Sequence, residues 1–286
     1  WGSGFSVQLD GGGYSAAVPP EKVAELTDGP HTFEVRGSQS WWSDSTPASW
    51  TWTVDTAPPS APGIAVGAPS PSDTGAFTVT WGAAVDVGTG VANYTVQRAL
   101  EGGAFATIAS GVTISSLGQS GLAAGSYVYR AQAVDAAGNP GPFSAPSTPV
   151  VVRRPPVITS PPVTTATVGQ PYGYDVESTG YPSPTYSLTT APTGMTINAA
   201  TGAVSWTPAA GEGGPHDVAV VAANGAAPDA RQPWRIELSE APLITSPPCT
   251  SAVVGQAYAC DVDATGYPAP TFSLVIPPST SIRNFA

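Results

Sequence analysis

The sequence predicts an all-β chain built of tandem β-sandwich modules that are joined by proline-rich linkers. The composition is rich in turn residues, with 32 Gly, 32 Pro and only 10% charged residues, which favours short strands over helical bundles. Apolar and polar residues alternate in short runs, as they do in half-buried strands. Val157–Leu188 also returns 86 residues later as Leu243–Leu274, with 21 identities in 32 positions. A near-copy at the length of one small sandwich predicts a tandem array.

The charge balance excludes two classes of partner. The chain has 20 Asp and Glu against 9 Lys and Arg, for a formal net charge of −11. Nucleic acids and anionic membrane surfaces are bound through basic patches, so we expect neither as a partner. No apolar run approaches the roughly 18 residues of a membrane-spanning helix, so we expect no transmembrane segment. Because the chain opens on Trp1 and stops within a repeat, we expect both ends to be cuts through a longer protein.

The pattern of residues 1–56 predicts the later part of a β-sandwich. Alternation places Phe5, Val7 and Leu9 on one face, and the turn DGGG closes a hairpin. The segment SWTWTVD places Trp50, Trp52 and Val54 on one face, where we expect the tryptophans to be core residues. The motifs LDGG, HTFEVR and TWTVDT make this segment similar to a bacterial immunoglobulin-like repeat family. The cysteine pair of that family would fall at Val7 and Ala17 and is absent here.

Residues 57–154 form the most complete predicted module, which follows the linker APPSAP. Its strands alternate regularly, with inward positions at Phe77, Val79, Trp81, Tyr94, Val96, Tyr127 and Tyr129. This spacing resembles a fibronectin type III domain. The resemblance implies that Trp81 is the core tryptophan and that Tyr127 fastens a corner of the sandwich through its hydroxyl.

Residues 155–241 contain the first copy of the repeated stretch, followed by the motif APTGMTINAATGAVSWTP. This motif resembles the putative Ig domains related to cadherin-like, dystroglycan-type modules. Asn198–Gly202 should form a tight turn between two strands, and Trp206 should lie at the edge of the core. Residues 242–286 are the front of a second such module. Half a sandwich cannot bury its apolar face, so we expect this segment to be poorly ordered in isolation.

The two cysteines lie in the second copy of the repeat, at Cys249 and Cys260, where the first copy has Val163 and Tyr174. Because both positions change together, a disulfide in place of an apolar pair is the favoured interpretation. Two independent buried thiols are the alternative. A disulfide would imply an oxidising compartment outside the cytoplasm, so we expect an extracellular or cell-surface location.

The sequence offers no catalytic site. His31 and His216 each begin an alternating strand in a different module, which favours structural roles over that of a general base. No nucleophile motif, zinc spacing or phosphate-binding loop occurs. The pair Asp175 and Glu177, repeated as Asp261 and Asp263, falls on one strand face and reads as a solvated surface.

Calcium is the one cofactor that the cadherin-like resemblance brings into question. Hard cations need six to eight oxygen ligands, and the candidate residues are Asp175, Glu177, Asn198, Asn224, Asp229, Glu237 and Glu240. The cadherin motifs DRE, DxNDN and DxD are missing. We therefore assign no metal ligand and retain Ca²⁺ only as an alternative.

Trp41 and Trp42 are the candidate ligand-binding residues. They are adjacent in a segment rich in Ser, Gln and Asp, and neighbours on a strand face opposite ways, so at most one can be core. An exposed tryptophan can stack on a sugar ring or on a partner protein, whereas a tryptophan folded over an open sandwich end would be structural.

These observations predict a non-catalytic spacer or adhesion segment of a secreted or cell-surface bacterial protein. One alternative is a carbohydrate-binding accessory region of an extracellular hydrolase, with Trp41 and Trp42 as its platform. A second alternative is calcium-dependent adhesion of the cadherin-like kind. The expected partner is an unidentified surface polymer, polysaccharide or protein.

Overall fold

The computed structural model describes residues 4–18, 21–39, 41–66 and 70–275, with backbone alone at 64–66. It contains 23 strands and, within these residues, no α-helix. Two compact units divide the chain, Trp1–Arg153 and Arg154–Ala286. Of the predicted segment 242–286, residues 276–286 lie outside the described residues. No described helix has the length and hydropathy needed to cross a bilayer.

The first sheet contains five strands in the order β2-β1-β3-β4, with β5 also paired to β3. Their bounds are β1 Gly4–Leu9, β2 Ser15–Ala17, β3 Gly29–Gln39, β4 Trp42–Ser43 and β5 Ala48–Val54. The turn DGGG joins β1 to β2, and Asp10 and Gly11 adopt positive φ there. The register opposes Leu9 to Phe33 and Phe33 to Trp50, so these apolar side chains share one face.

Two further sheets of the first unit enclose a core. One sheet has the order β10-β7-β6, and the other has the order β12-β11-β8-β9 with β13 on β11. The strands are β6 Ile64–Val66, β7 Phe77–Trp81, β8 Val91–Leu100, β9 Ala106–Val112, β10 Ser116–Gln119, β11 Gly125–Asp135, β12 Pro140–Phe143 and β13 Val150–Val152. The core contains Phe77, Val79, Trp81, Tyr94, Val96, Tyr127 and Tyr129, which are the inward positions predicted from alternation.

The second unit repeats this layered arrangement. Its sheets have the orders β14-β17, β16-β20-β19 and β15-β22-β21-β18, with β23 on β22. The strands are β14 Arg154–Ile158, β15 Thr165–Thr167, β16 Tyr172–Asp175, β17 Ser178–Tyr181, β18 Thr185–Thr190, β19 Thr196–Ile197, β20 Ala203–Trp206, β21 Gly214–Ala223, β22 Ala230–Ile244 and β23 Ala264–Tyr267. Its core includes Tyr174, Trp206, Val220, Ile236 and Leu238.

The predicted turn at Asn198–Gly202 connects β19 to β20. The Asn198 side-chain oxygen accepts hydrogen bonds from the backbone N–H groups of Ala200 and Thr201, at 2.9 and 3.1 Å. Gly202 adopts a φ of +79°, which favours glycine. Trp206 is only 4% exposed and belongs to the core itself.

The expectation that Trp50 is a core residue is wrong. Trp50 is 75% exposed, and the strand register places it on the same sheet face as Phe33 and Val7. Within the described part of residues 4–56 there is one sheet, and no second sheet packs against its apolar face. The ring of Trp50 therefore lacks the opposing layer that a core position requires.

Candidate functional site

The predicted platform tryptophans are both on the surface. Trp41 is 76% exposed and Trp42 is 52% exposed, so neither is a core residue. Trp42 begins β4 and pairs with Gln39, which places it on the same sheet face as Phe33 and Trp50. A shallow groove of about 370 Å³ on this face is lined by Phe5, Val7, Ala17, Glu21, Phe33 and Val35. The face can offer aromatic stacking, and its groove is lined by apolar side chains and one carboxylate, that of Glu21.

The two histidines have structural contacts and lie in different units. In His31, one ring nitrogen lies 2.7 Å from the Thr27 carbonyl oxygen and the other lies 2.7 Å from a carboxylate oxygen of Asp10. In His216, Nε2 lies 2.7 Å from the Glu212 carbonyl oxygen, and the ring packs edge-on against Trp206. Each imidazole ring thus connects the start of its strand to the loop that precedes it.

Among the described residues, the Asp and Glu candidates for calcium do not form a group of three that could share an ion. Asp175 and Glu177 are exposed, and Asn198 caps the β19–β20 turn. The Asn224 amide donates hydrogen bonds to the carbonyl oxygens of Arg154 and Pro182, so it holds backbone. Asp261 and Asp263, the second carboxylate pair, are also exposed.

A different acidic group, which the sequence analysis missed, lies at one end of the type III-like core. The carboxylate oxygens of Asp55, Asp86 and Asp135 approach within 4.8 Å of one another, and Asp55 and Asp135 are 8% and 2% exposed. Each aspartate follows a valine near the end of a strand or in the loop beyond it. That Val-Asp pattern is a weak signal, because the three residues are separated by 31 and 49 positions.

Asp55 connects the first sheet to the loops of the type III-like module. It follows β5 directly, and its carboxylate accepts hydrogen bonds from the backbone N–H and the hydroxyl of Thr89, both at 2.7 Å. Its backbone carbonyl accepts a hydrogen bond from the Asn139 amide at 2.8 Å. A methyl group added at Gly88 would overlap the Asp55 carboxylate, so glycine is required for this approach. The chain between the two modules is therefore held against the second of them.

The electrostatics of this junction are balanced by hydrogen-bond donors. The bonds from the Thr89 hydroxyl and N–H hold the pKa of Asp55 below its ordinary value, despite its burial. Asp86 accepts a bond from the Gly90 N–H at 2.6 Å, and Asp135 accepts two bonds from Asn139 at 2.7 and 2.8 Å. The three carboxylates could supply oxygen ligands to a hard cation, but each of them already accepts hydrogen bonds from neutral N–H or O–H groups. The three aspartates therefore form a hydrogen-bonded junction.

The cysteines form a disulfide, with an S–S distance of 2.00 Å between Cys249 and Cys260. Both residues are exposed and lie between β22 and β23, in a stretch without strands. The pair therefore belongs to neither of the two cores.

Comparison with known families confirms the resemblance predicted for residues 155–241. Residues 155–236 match the family described as Putative Ig domain. The match covers the first copy of the repeated stretch, the Asn198–Gly202 turn and Trp206. Together with the sheets described above, it supports an all-β chain with an immunoglobulin-like β-sandwich module at residues 155–236.

Comparison with solved structures gave matches to several proteins built of tandem modules. Immunoglobulin domains 1–5 of Sidekick-1 are 16% identical, with a TM-score of 0.43, over 86% of this chain and 56% of that one. A three-immunoglobulin-domain segment of titin is 13% identical, with a TM-score of 0.45, over 82% and 88%. Domains FN1–FN3 of chicken contactin are 18% identical, with a TM-score of 0.35, over 66% and 71%. Comparison with curated proteins gave no match.

Proposed function

We propose that this chain is a non-catalytic spacer and adhesion segment of an extracellular or cell-surface bacterial protein, with consecutive modules held by hydrogen-bonded joints. Immunoglobulin-like and type III-like modules are typical of such segments. The junction at Asp55 carries the proposal. It ties the end of β5 to the loops around Thr89 and Asn139 through a buried carboxylate and a backbone carbonyl.

A stiff joint supports the spacer function because a flexible linker would let neighbouring modules move independently. The linker after β5 contains prolines, which restrict its backbone. The hydrogen bonds of Asp55 add tertiary restraint, because they join it to Thr89 and Asn139, which are 34 and 84 residues away in sequence. Asp55 is also buried, with 8% exposed. Projection or spacing needs this restraint and no reactive group.

The test disrupts the joint without touching either core. In Gly88→Ala, the added methyl group overlaps the Asp55 carboxylate, and in Asp55→Ala the acceptor is lost. ¹⁵N relaxation of the whole chain should show the first sheet tumbling with the type III-like module in the natural protein and separately in both variants. Gly118→Ala is the matched control, because nothing lies within 4 Å of its added methyl group. Separate tumbling in the natural chain would contradict the proposal.

The carbohydrate-binding alternative is supported by the exposure of Trp41 and Trp42. Exposed indole rings can stack on sugar rings, and a binding platform would show a tryptophan fluorescence change with soluble polysaccharide. The change should be lost in Trp41→Ala/Trp42→Ala and kept in Trp50→Ala, which removes a ring that is 75% exposed and lies on β5 of the same sheet. The absence of any fluorescence change or gel retardation across a polysaccharide panel would exclude this function.

Calcium binding stays a prediction with a direct test. Calorimetric titration of the whole chain with millimolar Ca²⁺ should release heat and raise the unfolding temperature if the ion stabilises the array. No heat and no thermal shift would remove the cadherin-like alternative and leave the hydrogen-bonded joint as the proposed restraint.

A further inference from the structure

The two copies of the repeated stretch pair their strands in the same register. In the first copy, β14 and β17 pair Arg154 with Tyr181 and Val157 with Thr179. In the second copy, β22 and β23 pair Glu240 with Tyr267 and Leu243 with Thr265, each partner shifted by the same 86 positions. The second copy therefore begins with the same strand pairing, built on the last strand of the preceding module.

A carboxylate at the end of the preceding module accepts hydrogen bonds at the point where the second copy begins. The Glu240 carboxylate accepts hydrogen bonds from the backbone N–H groups of Gly211 and Gly213, at 2.6 and 3.2 Å. Gly211 and Gly213 lie in the loop before β21 and outside the repeated stretch. The carboxylate thus closes a loop of the first module from the segment that leads into the second.

The tyrosine of the second copy completes the contact. The Tyr267 hydroxyl donates a hydrogen bond to a Glu237 carboxylate oxygen at 3.1 Å, and this bond raises the pKa of Tyr267. The Tyr267 side chain lies beside the glycine loop: an added methyl group at Gly213 would be 2.9 Å from the Tyr267 Cβ and 2.7 Å from a Glu240 carboxylate oxygen, and one at Gly214 would be 4.0 Å from the Tyr267 ring. Real Cβ atoms do not approach so closely, so only glycine at position 213 accommodates both side chains.

We propose that the loop Gly211–Gly214, with Glu237 and Glu240, is a docking surface for the Tyr-Pro segment of the next copy of the module, and that it sets the angle between consecutive copies. The partner is specified by its chemistry: a Thr-Gly-Tyr-Pro segment, formed by the end of a strand and the proline after it, which occurs at 179–182 and again at 265–268. The Tyr-Pro segment belongs to the repeated stretch and the glycine loop does not, so in this chain the end of the first copy's module meets the start of the second copy. This inference rests on the proposed spacer function and deepens it.

Amide hydrogen exchange on the whole chain tests the docking surface. The N–H groups of Gly211 and Gly213 should be protected in the natural protein and should exchange about tenfold faster or more in Glu240→Ala, which removes their acceptor. Glu240 is half-buried at the rim of the module, outside the second core, so the variant should keep that core folded. Equally fast exchange in the natural protein and the variant would overturn the proposal.

A second experiment adds a methyl group at each of two glycines of one module. Gly213→Ala should displace Tyr267, and the protons of Gly214 should lose the ring-current shift that they also lose in Tyr267→Leu. Gly173→Ala is the control, because its added methyl group meets nothing nearer than 3.9 Å. An unchanged Gly214 spectrum in Gly213→Ala would contradict the docking surface. Failure at this site would leave the Asp55 junction intact, and failure of the Gly88→Ala experiment would leave this surface intact, so the two proposals can be separated.

Discussion

Three residues in the same position of three modules fasten the start of a long strand. His31, Tyr127 and His216 are each the third residue of their strands, and each side chain contacts the carbonyl oxygen of the residue four positions earlier. The type III resemblance implied this role for Tyr127, and its hydroxyl does bond to Ala123 at 2.9 Å. Alternation identified the histidines as strand residues but could not show that imidazole replaces phenol at the corner.

Removing the Tyr127 hydroxyl should weaken the first core modestly. Tyr127→Phe keeps the buried ring and loses one hydrogen bond, which is worth about 1 kcal/mol in the free energy of unfolding. Urea unfolding measures the loss. Tyr258→Phe is the control, since its hydroxyl also bonds to a backbone carbonyl but in an exposed stretch outside both cores. Equal destabilisation by the two variants would contradict the corner role.

The His31 corner should be pH-dependent. Its two ring nitrogens face two acceptors, the Thr27 carbonyl and the Asp10 carboxylate, and these bonds raise the pKa of His31 above its ordinary value. A raised folded-state pKa stabilises the first sheet fully below the unfolded value of about 6.5, and the contribution disappears as pH rises through the folded pKa. NMR titration of the imidazole should show this raised pKa, and Asp10→Asn should lower it. A pKa at or below 6.5 in the natural protein would contradict the assignment.

At the scale of elements, alternation correctly predicted which side chains share a face. It placed Phe77, Val79 and Trp81 together, and all three are buried between two sheets. It also placed Trp50 on one face with Trp52 and Val54, but a period of two indicates only the face and not whether another sheet covers it. The Asp55 junction could not be derived in this way, because it joins residues from three distant segments.

The two kinds of apolar face should respond differently to truncation. Ile236→Ala removes a side chain that is 0% exposed, so it should cost about 2–5 kcal/mol in the free energy of unfolding of the second core. Trp50→Ala removes a ring that is 75% exposed and should change stability by no more than about 0.5 kcal/mol. Denaturant unfolding measures both. A loss of several kcal/mol in Trp50→Ala would mean that the face of the first sheet is covered in solution.

At the scale of the whole molecule, the part of the chain that the structure describes has two hydrophobic cores and a disulfide outside both. The repeat, the composition and the alternating runs were sufficient to predict a tandem all-β array. The contacts that restrain the modules were not predictable, because they depend on glycines at positions 88 and 213 whose neighbours are distant in sequence.

Reduction of the disulfide should leave both cores unchanged. Cys249 and Cys260 are exposed, and their bond encloses a segment without strands. Thermal unfolding with and without a reducing agent should therefore give the same transitions for the two cores. A lower transition temperature for the second unit after reduction would show that this segment contributes to its stability.

Residual dipolar couplings test the restrained joint most directly. The backbone N–H groups of β1, β3 and β5 and those of β7, β8 and β11 form two sets on either side of Asp55. If the junction holds the modules together, both sets fit one alignment tensor in the natural chain and require two tensors in Gly88→Ala. Two independent tensors in the natural chain would contradict the account.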